Sequence, residues 1–371
     1  MMRRIWAWCK GEAVLCIALL LSLFSMLFVP PDAAYAGYID PGVLLLLFSL
    51  MAVVQGFIRC NLFQVLAARL LAGEKPLRLI CLLLVLLPFF LSMLVTNDVA
   101  LIALVPFSFL ALRLLGEERL MLRISVLQTV AANLGSMATP VGNPQNLFLH
   151  THYALSAGAF FRVVLPFSLL SLLLVGAGAL FSAGPQTVRV RFETPARIAS
   201  PWRLGGYICL FGLSLLSVFH AVHQAVPAAA VLLFLLLFDR PLLRRIDYGL
   251  LATFVCFFVF SGNLGRIDAV RALLSGLLQK NALLTAVLAS QFISNVPAAI
   301  LLSGFTADWP ALLAGVNIGG LGTPIASLAS LISLRLYLGE PEARAGRYLA
   351  VFTAVNALCL LLLLAAAALV L

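Results

Sequence analysis

Residues 133–147 read Asn-Leu-Gly-Ser-Met-Ala-Thr-Pro-Val-Gly-Asn-Pro-Gln-Asn-Leu, and residues 317–331 read Asn-Ile-Gly-Gly-Leu-Gly-Thr-Pro-Ile-Ala-Ser-Leu-Ala-Ser-Leu. The two align without a gap, with identity at Asn133/Asn317, Gly135/Gly319, Thr139/Thr323, Pro140/Pro324 and Leu147/Leu331. Chance gives about one identity in such a window, so the pair is an internal repeat. Each copy sets glycine, proline and small polar residues inside a long apolar run, Ile124–Leu149 and Ala311–Leu334. Gly and Pro weaken helical hydrogen bonding, so each run is predicted to be a helix broken near its middle.

The 371-residue chain is 63% hydrophobic and only 10% charged, with a mean hydropathy of +1.11. Soluble domains carry roughly 25% charged residues, so too little polar surface exists here to face water all round. The apolar runs are separated by short polar loops, which predicts crossing helices rather than the alternating strands of a barrel. The fold class is therefore an all-α polytopic membrane protein.

Outward from the repeat, Ala282–Ile293 and Val296–Phe305 flank the polar pair Ser294-Asn295. Both are shorter than the roughly 20 residues of a crossing helix, which predicts a re-entrant hairpin. Leu77–Val95 and Val99–Leu115 have the same form around Thr96-Asn97-Asp98, and Thr96-Asn97 aligns on Ser294-Asn295. Asn61–Leu71 and Ile267–Leu278, amphipathic and basic, precede the two hairpins as interfacial helices. Near the start, Arg3, Arg4 and Lys10 precede the apolar Ala13–Val29, and Ala34-Tyr35-Ala36-Gly37 resembles a cleavage site. The length of that apolar run favours an uncleaved first span over a signal peptide.

Nine crossings plus two hairpins, with the N-terminus cytoplasmic, put every Lys and Arg on the inside except Arg162, Arg266, Arg271 and Lys280. That asymmetry is the positive-inside signature, so the net charge of +10 is topological and does not point to nucleic acid. The C-terminus then lies outside. The first hairpin opens to the cytoplasm and the second to the exterior. The expected organisation is two inverted repeats, residues 1–182 with the N-terminal span and 204–371, joined by a cytoplasmic linker, 183–203. Inverted repeats with Gly/Pro-interrupted helices at matching places are the architecture of secondary transporters.

The candidate substrate and ion site gathers at the hairpin tips and the breaks. Backbone groups freed around Gly135, Pro140, Gly142, Gly319, Gly320 and Pro324 can hold a cation through carbonyls or an anion at a half-helix N-terminus. Thr96, Asn97, Ser294 and Asn295 at the tips, with Asn133, Thr139, Asn143, Asn146, Asn317, Thr323 and Ser327 at the breaks, add amides and hydroxyls. Helix capping is the plainer role of such residues, and both can coexist. Asp98 is the acidic residue set inside long apolar flanks, and its counterpart is Val296. An intramembrane acid is costly, so Asp98 is expected to carry a coupling proton or complete a cation site; a first-turn helix-dipole role is the alternative.

Other chemistry is poorly supported. His150, His152, His220 and His223 fall at outer-face edges on this topology, suiting interfacial histidines better than a metal site. The seven cysteines form no CxxC pair, so neither disulfides nor zinc are indicated. HExxH, GxSxG and nucleotide-binding motifs are absent, which argues against a membrane enzyme or an ATP-driven pump. A channel would share the broken helices but lack coupling to an ion gradient.

Thr96-Asn-Asp-Val-Ala-Leu, Thr139-Pro-Val-Gly-Asn-Pro-Gln-Asn146, Ser294-Asn-Val-Pro and Asn317 to Ser327 resemble signature segments of the ion transporter superfamily, in its citrate-transporter-like branch. That branch includes divalent anion/sodium symporters, arsenite permeases and some sodium/proton antiporters. The resemblance implies two inverted repeats, Ser-Asn-Thr tips that contact substrate carboxylates, sodium between tip and break, and a homodimer. This chain has Thr-Asn-Asp and Ser-Asn-Val instead, and a carboxylate beside a dianion repels it unless protonated. The expected function is an ion-coupled secondary transporter of a small anion or oxyanion, citrate- or dicarboxylate-like, in the cytoplasmic membrane. The alternatives are a sodium/proton antiporter and an arsenite efflux permease. Sodium or a proton is the expected coupling ion, with no other cofactor.

Overall fold

The computed structural model describes residues 12–190 and 196–371. Arg3, Arg4 and Lys10, which carry the expectation for the N-terminal flank, and Arg191 in the linker lie outside the described residues. The described residues are helical apart from loops and one pair of short strands. In order, α1 is Ala13–Ser25, α2 Pro41–Arg59, α3 Leu62–Leu71, β1 Gly73–Pro76, α4 Leu77–Leu91, α5 Asn97–Leu114, α6 Met121–Ser136, α7 Pro144–His152, α8 Ala157–Leu180 and β2 Thr187–Val190. The second half holds α9 Pro201–Val218, α10 Ala225–Phe238, α11 Tyr248–Leu264, α12 Asp268–Ile293, α13 Asn295–Ser303, α14 Trp309–Ile318, α15 Leu328–Leu338 and α16 Ala345–Val370.

Both broken helices are present: α6 stops at Ser136 and α7 restarts at Pro144, while α14 stops at Ile318 and α15 restarts at Leu328. Asn143 explains the first restart, its side chain accepting from the Asn146 amide at 3.1 Å with Pro144 in the first turn. Asp40, Asp247 and Asp308 cap α2, α11 and α14 in the same way, so several of the few acids serve helix ends. The expected interfacial helix at Ile267–Leu278 and the following hairpin arm form one element, α12, that kinks at Asn281 (φ −164°, ψ 97°). The Asn281 side chain accepts from Leu284 N at 2.8 Å and so caps the arm beyond the kink.

The packing repeats as the sequence does. The first hairpin arm lies against the first half of its own broken helix, α4 on α6 and α12 on α14. The second arm lies against the exit helix of the other half, α5 on α15 and α13 on α7. Around this core, α2 packs on α9 and α10, and α1 packs along α11. At the loop before α2, Arg266 donates to Asp32 at 2.8 Å and holds its carboxyl below the ordinary carboxylate range.

Residues 183–203 do more than join the halves. Thr187–Val190 pairs antiparallel with Gly73–Pro76, and Leu77 N donates to Gln186 O at 2.7 Å. Gln186 Nε2 also donates to Glu117 at 2.8 Å, so this segment clasps the root of the first hairpin. At its far end α9 already begins at Pro201, ahead of the expected boundary.

Candidate functional site

The tips and breaks meet at the centre of the packed helices. Asn97, the first residue of α5, donates to Asn133 Oδ1 at 2.8 Å. The same oxygen accepts from Ser327 Oγ at 2.9 Å, and Asn133 Nδ2 reaches Ser330 Oγ at 3.4 Å. The first tip, the first broken helix and the second break thus share one buried cluster. On the other side, Asn317 Nδ2 donates to Asn146 Oδ1 at 2.6 Å, and Asn143 Nδ2 donates to Asn317 Oδ1 at 3.3 Å.

These contacts obey the repeat. The alignment of Asn133 on Asn317 also places Asn143 on Ser327 and Asn146 on Ser330. Each helix-ending asparagine therefore bonds the same two positions of the opposite half. The straps between a break and its own hairpin repeat as well: Thr139 Oγ1 donates to the Met93 carbonyl, and Thr323 Oγ1 donates to the Gln291 carbonyl at 3.1 Å.

Close approach requires small residues here. A side chain on Gly135 would collide with the Phe89 carbonyl oxygen of α4, and Gly322 has φ +104°, a conformation that suits glycine. A β-carbon on Gly320 would lie 2.9 Å from Asn295 Nδ2, so that tip amide sits against the second break. The second tip is anchored by Asn295 N donating to Ala326 O at 3.0 Å and by Ser294 Oγ donating to the same oxygen at 3.3 Å. Asn146 satisfies the first break, its Nδ2 within 3.1–3.4 Å of the carbonyls of Ser136, Met137 and Thr139. Gly142 packs against the Ser136 carbonyl, and Gly319 against Ser290. Pro140 and Pro324 lie inside the breaks.

Thr96, Asp98 and Asn143 line a cavity of about 350 Å³ that also meets Gln55, Glu12, Asp247 and Arg335. Asp98 Oδ1 is buried there without a hydrogen-bond partner. Burial alone does not single it out, because Asp98 as a whole is half-buried while Asp239 and Glu117 are buried more fully. Those two are paired: Asp239 with Arg59 and Arg203, Glu117 with Arg119. The two breaks also differ in exposure: Val141 is 7% exposed, whereas its mate Ile325 is 56% exposed.

Several residues of the site were not read from the sequence. Gln291 Nε2 donates to Gly319 O at 2.8 Å and Leu321 O at 2.9 Å, while its Oε1 accepts from Thr323 N at 2.9 Å. Its place three residues before Ser294 is the signal that could have found it. Ser330 was legible as the mate of Asn146. Of the histidines, His152, His220 and His223 are exposed, whereas His150 is fully buried rather than peripheral, and neither of its ring nitrogens has a hydrogen-bond partner. Phe160, Phe219 and His220 cover its ring, so sequence distance from the break overstated its exposure.

Comparison with known proteins agrees with the fold. A profile of the citrate transporter family (CitMHS) matches residues 5–309. An uncharacterized transporter of Methanocaldococcus jannaschii is 33% identical over 304 residues, 82% of each chain. Inner membrane protein YbiR of Escherichia coli is 31% identical over 340 residues, 88% of each chain. The rice silicon efflux transporter LSI3 is 34% identical over 155 residues, 40% of this chain and 30% of its own. The family, the Methanocaldococcus jannaschii relative and LSI3 are transporters, not enzymes, and they imply a small-molecule substrate for a multi-pass membrane protein. With the broken helices and their matching hairpins, these likenesses make the chain a member of the citrate transporter family.

Proposed function

We propose that this protein is a proton-coupled secondary transporter of a small weak oxyacid or oxyanion, with Asp98 as the coupling residue. The observation that carries the reading is the buried, unpartnered Asp98 Oδ1 in a cavity that touches the first tip and the first break. A carboxylate at membrane depth without a cation partner is costly unless it takes up a proton. Glu12, Asp98 and Asp247 face the cavity against one Arg335, a balance that repels a dianion such as a dicarboxylate. A neutral or singly charged hydroxylated solute suits the hydroxyl and amide of Thr96 and Asn143 that line the cavity. The partial likeness to a silicon efflux transporter supports the same class.

Transport then proceeds by exchange of the conformations of two inverted halves. The N-terminus is cytoplasmic, and the molecule is a homodimer in the inner membrane. Sodium/proton antiport is the second reading, favoured by the oxygens of Asn133 and Ser327 beside the tip.

The test is flux in proteoliposomes under imposed proton or sodium gradients, screening citrate, succinate, sulfate, arsenite, silicic acid and sodium. Proton-driven movement of arsenite or silicic acid, lost in Asp98→Asn, is the expected result. Sodium-dependent citrate uptake, or ungated conductance with no coupled flux, overturns it.

A further inference from the structure

We propose that His150 and His220 form a proton-operated latch that holds the exit half of the first broken helix against the turn between α9 and α10. The two rings stack, with centroids 5.2 Å apart and planes 11° apart. Phe160 and Phe219 close the other sides of His150 edge-on, at 5.8 and 6.1 Å. His220 is exposed and holds a left-handed φ of 61°, uncommon for a side-chain-bearing residue.

Each ring nitrogen of a buried histidine normally finds a partner, and both on His150 lack one. The burial is therefore unfavourable for the ring and is released when it reaches water. A neutral pair can stack, whereas two facing imidazolium rings repel. Acid thus favours the conformation in which the rings are apart. His150 lies four residues after Asn146, on the same face of α7, and Asn146 holds both the first break and Asn317. Opening the latch therefore frees the helix that carries half of the cross-link between the halves.

The surrounding charges are accounted for. His220 is the titratable neighbour of His150, Asp40 faces His152, and Asp308 faces Tyr153. Arg162 of α8 is exposed, and Arg203 of α9 is engaged by Asp239. Helices α13 and α14, packed on α7, contain no titratable side chain; α2, also packed on α7, ends in Arg59, which pairs with Asp239, and His223 is exposed in the same turn as His220. The latch adds a second protonatable site to the reading above, which it needs only for its consequence for transport.

The test is hydrogen–deuterium exchange of the full chain in liposomes, with no cargo, at pH 7.5 and 5.5, corrected for intrinsic exchange. In the unaltered protein, protection of residues 147–155 and 217–222 is expected to fall by about tenfold or more at the lower pH, as one pH unit per tenfold allows. His150→Phe keeps the packing and removes the titration, and is expected to stay protected at both pH values. His220→Asn suits the left-handed backbone and removes the stack, and is expected to be open at both. No loss of protection in the unaltered protein, or its same pH response in either variant, overturns the latch. Because no cargo is used, this outcome is separate from failure of the Asp98 reading.

Discussion

Asn317 donates to Asn146 at 2.6 Å, joining two helices that stop and start in the middle of the protein 171 residues apart. Its repeat mate Asn133 makes the matching bond to Ser330 at 3.4 Å. Removing Asn317 leaves the buried Asn146 Oδ1 without its donor, and removing Asn146 strips the first-break carbonyls of their donor while Asn317 Nδ2 keeps Leu313 O, each at a cost of about 1–3 kcal/mol. Asn317→Ala and Asn146→Ala should each lower the thermal midpoint in detergent. The double variant should cost less than the sum, by about 0.5–3 kcal/mol of coupling. Additive losses would show that the bond contributes nothing as a pair.

Gly135→Ala places a methyl group on the Phe89 carbonyl, backbone that cannot rotate aside. Overpacking of this kind costs typically 1–3 kcal/mol or more. Gly158→Ala, where nothing lies within 4 Å, is the control and should melt with the unaltered protein.

Asp98→Asn keeps the shape of the side chain and removes its titration. Gradient-driven flux should fall at least tenfold and lose its dependence on pH, while the melting temperature holds or rises as the buried unpaired oxygen is neutralised. Asp98→Glu should retain part of the pH dependence. Flux with an unaltered pH profile in Asp98→Asn would remove the coupling role.

Gln291→Ala strips the second break of three hydrogen bonds at once. Net bonds of about 1 kcal/mol each predict a clear loss of stability, with amide exchange rising in residues 319–323. Met93→Ala, at the matching place in the first half, supplies only its backbone carbonyl to Thr139 and should leave the first break protected.

The broken helices were legible because glycine and proline act locally: Gly135 and Gly319 lie within a residue or two of where α6 and α14 stop. The hairpin at Ser294-Asn295 followed from length alone. The clasp of Thr187–Val190 on Gly73–Pro76 was not legible, since a four-residue pairing across more than a hundred residues has no period in the sequence. Within the site, the tip and break residues were found by alignment of the halves. Their partners, and the Arg59 and Arg203 pairing that separates Asp239 from Asp98, depend on tertiary contacts. His150 was misplaced for the same reason: a residue near the end of a helix can still be covered by a distant turn.

The reciprocal asparagine bonds also constrain the order in which the molecule can be made. When the first half leaves the ribosome, Asn133, Asn143 and Asn146 enter the bilayer with the residues that complete them, Asn317, Ser327 and Ser330, not yet synthesised. Polar groups at that depth have no water to turn to. The first break therefore reaches its final form only after the second has been threaded, and assembly of the core is the closing event of biogenesis rather than the sum of two independently folded halves.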